Sequence, residues 1–368
     1  MLTSRSFIGL AVLILVSHPA FAAEPTPADI KKSVEAGYAF LKSRQGDDGS
    51  FIPKFSGPGG AALVAAALVK NGYGIDDPVV AKALAYLEKN IKKDGGVYDK
   101  GIATYTTSLA IMAFKDANKD KKYDMAIADA AKFLRKVQDN SGDDDKKLDF
   151  GGAGYGSDGK GRADTSNTAF FLEALVASGA GKDDPAIKKA LTFLSRAQNL
   201  PSEYNDQPFA KKVSDDDKGG FVYNPSEQDA KKSDKQTAIG GLRSEGGMTY
   251  AGLKSFLYAG VAKNDPRVLA AVKWIRAHYT LEQNPGMGTA GLFYYFHTFA
   301  KAMDALGEEQ FADAKGVKHA WRKELAEKLI GMQKKDGSWA NENRAFLENT
   351  PELATAFAML ALGYTQGK

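Results

Sequence analysis

Apolar residues recur along the chain in two alternating kinds of run. One kind is amphipathic. Val79 to Lys92 and Ala186 to Arg196 repeat apolar residues at helical spacing with lysines between them, which predicts helices that cover a core and face water. The other kind is Ala-rich, nearly devoid of charge and apolar on almost every face: Ala61 to Val69, Thr106 to Phe114, Thr168 to Ala177, Tyr250 to Ala259, Ala290 to Ala302 and Leu353 to Leu362. Helices of that composition are buried all round.

A Gly-containing turn, often with an aromatic, joins each amphipathic run to the apolar run after it. The turns are Gly49-Ser50-Phe51, Gly95-Gly96-Val97-Tyr98, Gly151-Gly152, Gly219-Gly220-Phe221, Gly286-Met287-Gly288 and Gly337-Ser338-Trp339. They follow one another roughly every 45 to 70 residues, so the chain is built from repeats. Asp77-Pro78, Asp184-Pro185 and Asp265-Pro266 give three amphipathic helices the same start, a capping acceptor before a proline in the first turn. Gly72, Gly179, Gly260, Gly307 and Gly363 suit left-handed positions where the apolar helices end.

Six hairpins with an apolar inner helix and a charged outer one predict an all-α fold, an α/α toroid (α6/α6 barrel). An open solenoid would need a polar last helix. Leu353 to Leu362 is as apolar as the middle helices, so it needs the first repeat as a partner and the ring should close. A single domain is expected over 23–368, with a long polar loop at about 200–245, where a functional loop or disorder is the usual reason for such length.

Residues 1–22 read as a signal peptide: Arg5, an apolar run from Phe7 to Val16, and Ala20 and Ala22 before the cut. The run is too short to span a bilayer, so no transmembrane anchor is expected after cleavage, and the product should be exported, periplasmic or secreted. With no cysteine among 368 residues, disulfides, thiolate metal sites and Cys nucleophiles are excluded. The four histidines are scattered, so neither a metal nor a cofactor is expected. A formal charge of +4 is too small to argue for nucleic acid.

The last repeat reads Gln333-Lys334-Lys335-Asp336-Gly337-Ser338-Trp339. This resembles the Gln-x-x-Asp-Gly-Ser-Trp repeat of the squalene cyclases and protein prenyltransferase β-subunits, and the chain is similar to proteins carrying prenyltransferase and squalene oxidase repeats. The resemblance extends from about residue 30 to the C-terminus and implies the same toroid. Activity does not follow from that fold, and the catalytic positions depart from both enzyme patterns. Triterpene cyclases of the hopene type use an Asp-x-Asp-Asp-Thr-Ala acid segment, and the counterpart here is Asp164-Thr165-Ser166-Asn167-Thr168-Ala169. Ser166 stands where the proton donor would be, and a serine cannot protonate an alkene. The prenyltransferase zinc site, which needs a cysteine, cannot be reproduced.

If the ring forms, the starts of the inner helices surround one end of its bore. Arg162, Asp164, Ser166 and Asn167 head the third, Glu245, Met248, Thr249 and Tyr250 the fourth, and Tyr294, Tyr295 and His297 lie in the fifth. Asp164, Glu245 and His297 are candidate acids or bases, and Arg162, Ser166, Asn167, Met248, Tyr250, Tyr294 and Tyr295 candidate ligand contacts. Asp164 also suits a plain N-cap, and His297 and the tyrosines suit simple packing. Three functions are open: a toroid binding an isoprenoid-type apolar ligand or converting it as a terpenoid cyclase- or prenyltransferase-like enzyme, a carbohydrate-active lyase or hydrolase using Asp164 and Glu245 on a glycan, and a non-catalytic scaffold binding a protein through its outer face or the 200–245 loop.

Overall fold

The computed structural model describes residues 25–52, 56–99, 101–139, 144–159, 162–232 and 235–367. The expected signal peptide at 1–22 lies outside them. Among the described residues the chain forms α1 (Pro27–Arg44), α2 (Pro58–Lys70), α3 (Pro78–Lys89), α4 (Ala103–Asp116), α5 (Asp124–Asp139), α6 (Thr165–Ala177) and α7 (Pro185–Ala197). A short α8 (Glu227–Lys232) lies in the long loop, followed by α9 (Gly246–Tyr258), α10 (Pro266–Ala277), α11 (Leu292–Leu306), α12 (Trp321–Met332) and α13 (Pro351–Thr365). One two-stranded ribbon pairs Phe311–Ala312 with Lys318–His319.

The six apolar runs become α2, α4, α6, α9, α11 and α13. Each packs on the next, and α13 packs back on α2, so the inner wall is a closed ring. The amphipathic helices form the outer wall. α7 buries Ala186, Ile187, Ala190, Phe193 and Leu194 on one stripe and turns its lysines outward. α1 packs on α13 and α12, which closes the outer wall as well.

The joints repeat. Gln138 donates to the carbonyls of Gly151 (2.8 Å) and Ala186 (3.1 Å), Gln198 to Gly219 (3.0 Å) and Arg267 (2.8 Å), and Gln333 to Gly337 (2.9 Å) and Ser33 (2.9 Å). One glutamine thus ties its own turn to the next outer helix. The turn glycines have φ of +77° to +95° at Gly151, Gly219 and Gly337, a region that L side chains avoid. They also lie against the neighbouring helix. A Cβ on Gly151 would sit 1.9 Å from the Lys189 carbonyl oxygen, and one on Gly219 2.3 Å from that of Ala270. An inner-helix threonine completes each joint: Thr168, Thr249 and Thr355 accept from the amides of Ala153, Phe221 and Trp339 at 2.9–3.0 Å. Trp339 is fully buried, and its indole donates to the Leu329 carbonyl at 2.7 Å.

The three Asp-Pro starts are N-caps, Asp77, Asp184 and Asp265 each accepting from the first turn. Gly72, Gly179, Gly260 and Gly307 take positive φ as expected. Gly363 does not: α13 runs through it to Thr365. The few charges on the inner helices include three that are buried, Glu173 in α6, Lys254 in α9 and Lys301 in α11. The long loop is knitted in place. Asn199 donates to the Leu242 carbonyl (2.7 Å) and to Ser244 (2.9 Å), and Asp217 accepts from the Ser244 amide (2.7 Å).

Candidate functional site

Helical spacing sorts the bore-facing side chains into stripes. On α6 these are Ser166, Phe170 and Glu173, and on α11 Tyr294, His297 and Lys301. α9 stands between these two helices in the ring, so contacts between them cross the bore. Phe170 and His297 lie nearly parallel, ring centres 6.3 Å apart, and Phe170 also meets Tyr105 of α4 (4.5 Å) and Tyr294 (6.2 Å). Phe357 of α13 meets Tyr294 (5.8 Å) and His297 (5.4 Å). The middle of the bore is therefore an aromatic layer in contact from wall to wall rather than an open channel.

The mouth lies at the N-terminal ends of the inner helices. Asp164 is the N-cap of α6 and is 2 % exposed. Its carboxylate accepts from the amide of Asn167 (2.8 Å), the side-chain amide of Asn167 (2.8 Å) and the hydroxyl of Ser166 (3.0 Å). Burial pushes its carboxyl above the usual carboxylate range, against the pull of these bonds. Tyr155 and Tyr223 share a hydroxyl contact of 3.0 Å beside it. Both phenols are raised, first by burial and next by the charge of Asp164. Glu348, which the sequence did not single out, is a second buried mouth carboxylate. It accepts from the Tyr294 amide (2.8 Å) and the Asn341 side chain (2.9 Å), sealing the start of α11.

Beyond the aromatic layer, Glu173 takes one ammonium on each carboxylate oxygen, from Lys254 and Lys301. The pair of lysines holds the Glu173 carboxyl far below its ordinary range, overcoming burial. Lys301 is pushed up, Glu173 outweighing burial, while burial pulls Lys254 down. His297 is 1 % exposed, and neither ring nitrogen has a hydrogen-bond partner. Burial and the two lysines force its pKa well below the ordinary value, so the ring is neutral. The Tyr294 hydroxyl, one turn nearer the mouth, is likewise unpartnered.

Of the residues chosen from sequence, Asp164, Ser166, Asn167, Tyr294 and His297 come together along the mouth and bore. Tyr250 and Tyr295 do not join them. Tyr250 packs against Tyr295 (5.6 Å) and Phe299 (4.9 Å), and Tyr295 donates to the Thr280 carbonyl (2.6 Å), so both fill the layer between inner and outer walls. Arg162 is exposed, its charge acting on Asp149. Glu245, the N-cap of α9, is at the mouth end but buried in an ion pair with Lys235 at 2.6 Å, and Met248 in the first turn of α9 is buried. The sequence missed Tyr105, Phe170, Phe357 and the Glu173 ion group. The available signal for the last was a lone charge seven residues after Ser166 in an otherwise apolar helix. Among the described residues no group of three or more His, Cys, Asp or Glu could hold a metal ion, and no helix is long and apolar enough to cross a membrane.

Comparison with known proteins points the same way as the hairpin ring. The sequence family described as the squalene-hopene cyclase C-terminal domain matches residues 59–213. No curated protein sequence matches. The type II terpene cyclase MstE from Scytonema superposes with a TM-score of 0.54 at 14 % identity, over 92 % of this chain and 98 % of its own. That enzyme has also been solved with its substrate, geranylgeranyl dihydroxybenzoate, and with its product, merosterolic acid A. A protein from Actinoplanes (TM-score 0.55, 17 % identity, 92 % and 99 % covered) and an alpha-amylase from Clostridium perfringens (0.55, 14 %, 90 % and 97 %) share the architecture. At such identities the likeness is one of fold. Over residues 59–213 in sequence, and over most of its length in fold, the chain is similar to the squalene-cyclase-like α/α toroids.

Proposed function

We propose that this exported toroid binds an apolar, isoprenoid-type molecule through the mouth and upper bore, and that it does so without the cyclase's proton donor. The supporting observation is the stack of Tyr105, Phe170, Tyr294 and Phe357 beneath the mouth, with the Tyr294 hydroxyl and His297 ring buried and unpartnered among them. A wall of aromatic faces with a few converging polar groups is the usual form of a site for an apolar small molecule. Binding would part Phe170 from His297 and exchange their contact for contact with the guest. Ser166 cannot deliver a strong acid, and Asp164 is engaged by three donors, so protonation of an alkene is not part of the proposal. The test is a mass spectrum of the organic extract of natively purified protein. A polyprenyl or terpenoid species at near-stoichiometric amount is expected, and an extract free of such lipids would count against the reading.

A second reading, a non-catalytic scaffold, is favoured by the wall-to-wall contact of the aromatic layer. Asp164→Ala with His297→Ala should then leave the cellular phenotype intact, whereas a bore-based function should be lost. The carbohydrate-active reading has the weakest support, because Glu245 is held by Lys235 away from water.

A further inference from the structure

The inner end of the bore holds more positive than negative charge. Lys254, Lys301 and Glu173 are 2 %, 7 % and 9 % exposed at their side chains. Two ammoniums share the one carboxylate, so the group itself carries one more positive than negative charge in a place largely shielded from water. Asp116, at the far end of α4, also acts on Lys301 through its charge, but it is exposed and lies outside the ion group. His297 stands one turn from Lys301 on the same helix, nine-tenths and more buried, with both ring nitrogens unpartnered. Each ammonium carries three donors and gives one to Glu173. Unused donors, an unpartnered imidazole and a surplus charge thus meet at one depth, on the far side of Phe170.

We propose that this inner end accepts the anionic terminus of the guest, so that the ligand is an amphipathic acid: an apolar body against Phe170 and Phe357, and a carboxylate or phosphate end on Lys254, Lys301 and His297. The inference rests on the reading of the bore as a ligand site. An anion there neutralises the surplus charge of the group and supplies an acceptor for the ammonium donors that Glu173 does not take. A neutral alcohol of the same length gains only the hydrogen bonds.

Calorimetric titration of the full-length protein with farnesoic acid, farnesyl monophosphate and farnesol tests this. At least one of the two anions should bind about tenfold or more tighter than farnesol. Lys301→Met leaves a neutral Glu173–Lys254 pair of nearly the same volume and should bring that ratio to within about twofold. Which anion binds tighter names the end group. Farnesol binding as tightly as both anions would overturn the inference and leave the bore reading standing. So would a preference for anions that Lys301→Met does not change, since the anion would then sit elsewhere. If none of the three binds, the bore reading itself fails. The wild-type comparison needs no variant, so loss of folding in Lys301→Met would not rescue the proposal.

Discussion

Gln333 in the last hairpin and Ser33 in the first are bonded to each other twice, 300 residues apart. Ser33 donates its hydroxyl to the Gln333 side-chain oxygen at 2.8 Å, and Gln333 returns its amide to the Ser33 carbonyl at 2.9 Å. The same glutamine geometry joins neighbouring hairpins at Gln138 and Gln198. Ring closure therefore uses the joint that the other repeats use, with the chain ends in place of a continuous turn.

Breaking that joint should loosen the ring. Gln333→Ala removes three partly buried hydrogen bonds and should cost about 1–3 kcal/mol. Gly337→Ala should cost about 2 kcal/mol or more, because φ is +86° and the new Cβ would lie 2.3 Å from the Ala36 carbonyl oxygen. Denaturant unfolding of both variants checks this. Wild-type midpoints would mean that closure contributes little.

The ion group makes a sharper energetic statement. Glu173→Leu leaves two ammoniums buried without a counter-charge and should destabilise by about 3–5 kcal/mol. Replacing all three at once, Glu173→Leu with Lys254→Met and Lys301→Met, should recover most of that loss, since no buried charge remains to be solvated. Denaturant unfolding of the single and triple variants reads the difference. A triple variant weaker than the single one would show that the charges stabilise the ring on balance.

His297 gives a pH dependence whose sign is fixed by burial. Its folded pKa lies well below 6.5, so as pH falls below that value the unfolded chain takes up a proton that the folded chain refuses. Stability should fall on that account by up to about 1.4 kcal/mol per pH unit. His297→Phe removes the effect. Relative to wild type, the variant should gain stability between pH 7.5 and pH 5.5 in urea melts, and a difference independent of pH would contradict a buried neutral imidazole.

Asp164 separates capping from acid chemistry. Asp164→Ala removes the acceptor for the Asn167 amide and should cost about 1 kcal/mol, whereas Asp164→Asn keeps an acceptor and should stay within about 0.5 kcal/mol of wild type. Under the ligand-binding reading, Asp164→Asn also retains the co-purifying lipid. Loss of lipid in this stable variant would give the carboxylate a direct role at the mouth.

The ring was legible in the chain because its signals are periodic and local. Inner helices are apolar on every face, outer ones on a stripe, and Asp-Pro starts and turn glycines agree with both. The mouth was legible in part: Asp164 and His297 sit on the bore because helix starts and spacing put them there. Tyr250 and Tyr295 were misplaced for a geometric reason. In a double-walled ring a residue of an inner helix can face the bore or the outer wall, and both faces are apolar, so hydrophobicity does not tell them apart. Glu348 and Tyr223 lie in loops, where no periodicity points inward. Gly363 fitted a helix stop locally, yet packing of α13 against α2 carries the helix through it.

Binding of a guest between Phe170 and His297 is tested most directly by a crystal structure of the protein grown with farnesoic acid. Density is expected within the ring, with the two rings parted, the chain against Phe357 and the carboxylate near Lys301. An unchanged Phe170–His297 contact, with ligand density only on the outer wall or absent, would contradict a ligand-binding bore.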